Sequence, residues 1–480
     1  MTKILLYYRG LSALLFLLMA VPAMASSFRV QCPSTTSLHP NVPVLDASGN
    51  PVVDPAHPGF VKCQEISGTD GFATMGDGSQ IYLFGFGALS GKQSIESGLP
   101  GTQLASVFNN PVGPNAAKVE PADIMNNGVL AANAPAPMMM IDEDDELFLT
   151  LSNVGMIMRP DLFEQHTVHF HGYPNASSFF DGVPDASVAI NIAGSFTYYY
   201  TAPDAGTYFF HCHITPPEHL QMGMEGQLFV RPRQNRVHAG QDLGVALKTA
   251  NLHNPGADGI ACSDILCTGQ TPLPASANAA TGSSGVVQPV GGAKYAYNDG
   301  DGSTRYDVEY PIQIMGFDPN FHYVGMTFNP EAFVDMKDKY FMLSGRSYPD
   351  TINPSPITTL GADGVSRNSQ PQPSLIKIAQ GQRALLRISD LNITEFHTLS
   401  TVGIPMLVIA EDARLLRDMA GNNMYYSSNS ITMGGGESKD VILDASNVPK
   451  GTYFLYTTNL DHLSNDAENF GGMMTEIVVN

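Results

Sequence analysis

The chain has 480 residues, 43% of them hydrophobic and 14% charged, with a formal net charge of −21. That acidity excludes nucleic-acid binding through a basic face and suits a soluble protein that meets cations or a basic redox partner. The length suffices for two or three domains of ~150 residues.

Residues 1–25 read as an export signal: Lys3 and Arg9 are basic, Leu11 to Ala20 is apolar, and Ala23-Met24-Ala25 is a small-x-small cleavage site. The apolar run is too short for a comfortable bilayer span and no later run is longer, so the processed chain is expected to lack membrane spans and to be periplasmic or secreted. Residues 26–64 read as an irregular N-terminal extension. From residue 65 to 235, short alternating runs are punctuated by Gly, Pro, Asn and Asp, as in Leu147–Ser152, Phe196–Tyr200 and Gly226–Val230. This is the all-β pattern. Residues 236–303, rich in Gly, Ala, Ser, Pro and Asn, predict a flexible linker. Residues 304–480 return to the β pattern.

The two β regions repeat one another. Glu164-Gln-His-Thr-Val-His-Phe-His-Gly-Tyr-Pro174 aligns without a gap on Glu395-Phe-His-Thr-Leu-Ser-Thr-Val-Gly-Ile-Pro405, and Gly206–His213 aligns on Gly451–Thr458. Upstream, Leu149–Asn153 sits opposite Leu386–Asp390. In the second copy His169, His171, His211, Cys212 and His213 are replaced by Ser400, Val402, Tyr456, Thr457 and Thr458, and only His166 keeps a counterpart, His397.

Chemistry concentrates in two segments of the first copy. Residues 166–172 read His-Thr-Val-His-Phe-His-Gly, and residues 211–224 read His-Cys-His-Ile-Thr-Pro-Pro-Glu-His-Leu-Gln-Met-Gly-Met. If both segments are strands, alternate side chains face opposite ways. Cys212 and His166 then share the sandwich interior with His219 and Met224, while His169, His171, His211 and His213 converge on the flank. Two imidazoles, a thiolate and a weak axial thioether are the ligands of a blue copper centre, whereas zinc has little use for a methionine. Met222 is a rival for the axial place. Five cysteines occur, at 32, 63, 212, 262 and 267. With Cys212 reserved for metal, four remain for an oxidising compartment. They allow three pairings, of which Cys32–Cys63 with Cys262–Cys267 is the natural one.

These residues resemble the cupredoxin superfamily, specifically the multicopper oxidases and their two-domain relatives, the copper nitrite reductases. The resemblance rests on His169-Phe-His-Gly172, Asp181-Gly-Val-Pro184, Gly194-Ser-Phe196 with Tyr198, and Gly206-Thr-Tyr-Phe-Phe-His-Cys-His213. It implies two Greek-key β-sandwich domains, the second (304–480) degenerate and without copper. It also implies a type 1 copper on His166, Cys212, His219 and Met224. A type 2 or type 2/3 copper site on His169, His171, His211 and His213 would reduce a small acceptor such as dioxygen. The electron donor would be a small molecule, a metal ion or a redox protein. The chain departs from the family in having four of the eight histidines that a full trinuclear cluster needs. Two alternatives follow: a nitrite-reductase-like homotrimer in which a neighbouring chain supplies a histidine, with His397 or His322 as donors, or a non-catalytic blue-copper electron carrier. His39 and His57 are further candidates to cap the histidine cluster.

Overall fold

A computed structural model describes residues 28–173, 177–202, 204–250, 273, 284–327 and 332–480. The export signal and the Cys262–Cys267 pairing lie outside the described residues. Short strands dominate, grouped into two β-sandwiches.

The first sandwich is built from β1 (Val61–Thr74), β2 (Gln80–Ala88), β3 (Met139–Asp142), β4 (Glu146–Gly155), β5 (His169–Phe170), β6 (Ser195–Thr201), β7 (Gly206–His211) and β8 (Glu225–Arg231). One sheet runs β2-β1-β4-β6 and the other β3-β8-β7-β5. The first strand starts at Val61, inside the stretch read as extension, because residues 61–64 pair in parallel with Glu146–Leu149. Cys32 is joined to Cys63 by a disulfide, which ties the extension to β1. Alternation explains the packing. In β4 Leu147, Leu149 and Leu151 are fully buried and face Tyr198 and Tyr200 of β6 in one apolar cluster.

The second sandwich repeats the plan. It contains β9 (Val308–Phe317), β10 (Tyr340–Leu343), β11 (Ile376–Ile378), β12 (Arg383–Asp390), β13 (His397–Thr401), β14 (Met406–Glu411), β15 (Ser430–Met433), β16 (Ser438–Asp444), β17 (Gly451–Thr457) and β18 (Met474–Val479). Its sheets run β10-β9-β12-β16-β14 and β11-β18-β17-β13-β15. The parallel pairings recur at the same places: β1 with β4 and β3 with β8 in the first unit, β9 with β12 and β11 with β18 in the second.

The sandwiches share apolar surface. Leu83, Phe209 and Leu220 of the first pack with Met315, Phe317, Met342 and Leu391 of the second. Polar bonds flank this contact. Thr207 Oγ1 donates to Asp440 at 2.6 Å, and Gln227 Nε2 donates to Ser389 Oγ at 2.7 Å. Part of the predicted linker is built into the fold. Tyr295 and Tyr297 are buried, and the Tyr297 hydroxyl donates to Asp440 at 2.5 Å. The aromatic residues near the end of that segment outweigh its loop-like composition, because burying them removes a large apolar area from water.

Candidate metal centre

The register of β5 against β7 sets the site. His169 lies opposite His211 and Phe170 opposite Phe210. Although β5 is only two residues long, the period of two carries through its flanks. His166, Val168 and Phe170 are buried in the first sandwich, whereas His169 and His171 are half-buried on the flank. Cys212 follows β7 and turns inward, fully buried, between His211 and His213.

Inside the sandwich, His166 is fixed by a two-way backbone bridge with Ile190 (N···O 3.1 and 3.0 Å). Gly68 makes room for its ring: a Cβ there would lie 2.6 Å from His166 Cδ2. His219 sits on α1 (Pro216–Gln221), a short helix whose leading prolines suit a first turn. His219 Nδ1 lies 3.2 Å from Cys212 Sγ, and His166 Nδ1 lies 3.8 Å from it. The Thr167 N–H also donates to this sulfur at 3.4 Å. One donor atom from each of His166, Cys212 and His219 lies within 4.8 Å of the others. The backbone brings Met224 to the same place, since Cys212 N–H donates to its carbonyl at 3.0 Å and Met224 N–H donates to the His219 carbonyl at 2.8 Å. The Met222 thioether packs instead on Gly325, at the end of α2 (Pro319–Gly325).

On the flank, His169, His171 and His211 form a second group whose ligand atoms lie within 4.8 Å of one another. His169 Nδ1–H donates to the Asp181 carbonyl at 2.7 Å, and His211 Nδ1–H donates to the Cys212 carbonyl at 2.7 Å. These bonds turn both Nε2 atoms outward, as fixed tautomers do in metal sites. His171 Nε2 lies 3.0 Å from His211 Nε2. The His213 ring completes the group, 5.1 Å from that of His169 and 5.4 Å from that of His211. Beside His171, a cleft of about 330 Å³ opens between the sandwiches, lined also by Thr207, Asp412, Gly436 and Glu437.

Burial controls the protonation of these groups. It lowers His219 and His211 to about 3, and lowers His171 to about 4 with help from the neighbouring His169. His166 is held well below the usual imidazole range by burial and by His219. All four are therefore neutral and can act as ligands at ordinary pH. Burial pushes the Cys212 thiol up to about 11, so it needs a cation to ionise. The buried His166 Nε2 has no hydrogen-bond partner. Neutral imidazoles, an enclosed free thiol and nearby thioethers form a soft donor set that fits copper.

The other candidates lie elsewhere. His39 is held by Glu146 at 2.6 Å and by the Pro58 carbonyl at 3.0 Å, and His57 lines a separate cavity with it, so neither caps the cluster. His322 is fully buried between the Tyr82 and Gln221 carbonyls, and His397 lies in the second sandwich. Neither reaches a surface from which to serve a neighbouring chain. Sequence comparison missed His462, whose ring lies 5.3 Å from that of His397, and Met473, whose N–H donates to the His462 carbonyl. The segment from Thr457 to Met473 is longer than that from Cys212 to Met224, so a gapless alignment stops short of them.

Comparison with known proteins agrees with this geometry. Two family models described as multicopper oxidase match residues 115–235 and 333–478, together more than half the chain. The chain is 31% identical over 142 residues to a multicopper oxidase of Talaromyces pinophilus, covering 29% of this chain and 22% of that protein. It is 32% identical over 115 residues to a copper-containing nitrite reductase of Neorhizobium galegae, covering 23% and 27% respectively. The chain thus spans about a quarter of the length of these relatives. In fold it resembles a blue copper oxidase from Nitrosomonas europaea, with TM-score 0.51, 18% identity, and 87% and 85% of the two chains covered. It also resembles the multicopper oxidase mgLAC, with TM-score 0.52, 16% identity, and 87% and 86% covered. With copper as the metal that its histidine and cysteine clusters fit, the chain belongs to the multicopper oxidase family.

Proposed function

We propose that the protein is an exported copper oxidoreductase that takes electrons from a small reductant, a metal ion or a redox protein and delivers them to dioxygen. In this reading His166, Cys212, His219 and Met224 hold one copper, and His169, His171, His211 and His213 hold the other metal site. Copper, when bound, supplies one-electron redox chemistry. The rest falls to the chain. One observation carries the reading: Cys212 is bonded covalently to His211 and His213, and its own carbonyl fixes the His211 ring at 2.7 Å. The inner and flanking sites are therefore two faces of one tripeptide. The full burial of Cys212 and His219 keeps water from the inner site and limits reorganisation there. The half-buried His169, His171 and His213 leave the outer site open to a small acceptor.

A second reading, electron transfer through the inner site alone, is favoured by the residues opposite the cluster. Where a histidine-rich partner would be needed, the second sandwich presents Gly435, Gly436 and Glu437 to His171. Metal analysis with visible and EPR spectra separates the two. More than one copper per chain, with a second EPR signal and dioxygen uptake, supports the oxidoreductase. One copper per chain without dioxygen uptake refutes it.

A further inference from the structure

The second sandwich repeats the framework around Cys212 with one side chain exchanged. Thr457 ends β17 as Cys212 follows β7. Thr457 N–H donates to the Met473 carbonyl at 3.0 Å, and Met473 N–H donates to the His462 carbonyl at 3.0 Å. Cys212, Met224 and His219 make the same two bonds at 3.0 and 2.8 Å. The rings of His397 and His462 are 5.3 Å apart and tilted by 62°, against 5.3 Å and 53° for His166 and His219. An outer carboxylate is also retained: Glu395 lies 3.3 Å from His462 Nε2 and Glu164 3.8 Å from His219 Nε2.

Three of the four imidazole nitrogens of this second framework lack a hydrogen-bond partner. His397 is 1% exposed and His462 5%, and Thr457 and Met473 are fully buried. Neither nitrogen of His397 has a hydrogen-bond partner, nor has Nδ1 of His462. Each such buried nitrogen costs stability relative to a satisfied one, a cost that leucine or phenylalanine would avoid. Phe341 stacks on His462 at 3.7 Å and fixes the plane of its ring. In Thr457 the thiol is replaced by a hydroxyl, so an ion here would meet only neutral donors. A divalent ion would bring two uncompensated charges into this interior, whereas a monovalent soft ion brings one and prefers imidazole and thioether.

We propose that His397, His462 and Met473 form a colourless site for Cu(I) in the second sandwich. The Nδ1 atoms of both histidines face the ion. On the other side of the His462 ring, Nε2 lies 2.8 Å from the Asn459 amide nitrogen and 3.3 Å from Glu395, which leaves Nδ1 as the nitrogen without a partner. The site is independent of the assignment at Cys212.

The test is an anaerobic titration of the full chain with Cu(I) against a chromophoric Cu(I) chelator. Wild type is expected to retain one equivalent more than His397→Phe, with the visible band of Cys212, read in separate samples loaded with Cu(II) in air, the same in both. Equal retention by the two proteins, with matching near-UV circular dichroism, overturns the proposal. If His397→Phe does not fold, Cys212→Ser combined with Thr457→Cys decides. Added Cu(II) should then restore an intense visible band, and no band overturns the site. Loss of colour in Cys212→Ser alone reports only on the first sandwich, so the two assignments fail separately.

Discussion

The Cys212 thiol lies 3.2 Å from Nδ1 of His219, fully buried and within the field of the Glu164 carboxylate. A sulfur so placed stays protonated until a cation arrives, because burial has pushed its pKa up to about 11. Copper loading at neutral pH is therefore expected to release one proton from this position. Cys212→Ser should lose both that proton and the intense visible absorption, with the copper count falling by one. Proton release measured in a weakly buffered titration, alongside the spectrum, checks this; an unchanged spectrum would refute the ligand role.

Gly436 connects the second sandwich to the histidine cluster. Its φ is +90°, and a Cβ there would lie 2.7 Å from His171 Nδ1. Gly436→Ala is expected to displace the His171 ring and reduce dioxygen uptake by roughly tenfold or more, since small misplacements of reacting groups are costly. The Cys212 band should persist, because the inner site does not touch this loop. Steady-state oxygen consumption and the visible spectrum of one sample separate the two effects.

Arg387 is fully buried on β12. It donates to Glu309 at 2.7 Å and lies 3.6 Å from Asp440, which in turn accepts from Thr207 of the first sandwich. Burial alone would raise the Glu309 pKa, but Arg387 and Arg231 overcome it and hold the carboxyl near 2. Arg387→Met leaves both acids without this cation and should destabilise the protein by ~3–5 kcal/mol. Chemical denaturation at neutral pH measures it.

Glu65 behaves in the opposite sense. Burial raises its pKa to about 8, against the pull of hydrogen bonds from the Lys118 N–H and the Ser152 hydroxyl. A carboxyl whose folded pKa lies above its unfolded value stabilises fully at pH below the unfolded value, near 4.5, and loses that contribution as pH rises toward and through 8. Glu65→Gln removes this slope. Melting temperatures from pH 5 to 9 should decline less steeply in the variant, by a difference equivalent to about a few kcal/mol across the range.

Much of this was legible in the residues. Alternation located the strands around Leu147, Phe196 and Gly226, and the same period of two sorted His166 and Cys212 from His169, His171, His211 and His213. The repeat was visible because strands keep their length when function is lost. Loops do not. The longer path from Thr457 to Met473 hid His462, so of the second pair of rings only His397 was recognised in the repeat. The segment ending near residue 303 read as linker because composition registers its glycines and prolines, whereas burial of Tyr295 and Tyr297 depends on surfaces far away in the chain. The seating of His39 on Glu146 likewise depends on the path of the extension, which no local pattern encodes.

The seam joining Leu83, Phe209 and Leu220 to Met315, Phe317 and Leu391 bears on any attempt to make a minimal version of this protein. A fragment that stops at residue 303 would keep every residue assigned to the two proposed sites of the first sandwich, yet expose a greasy face that water does not tolerate. Such a fragment should clump unless those side chains are replaced by polar ones. The later half of the chain thus keeps that face dry, whatever its own chemistry.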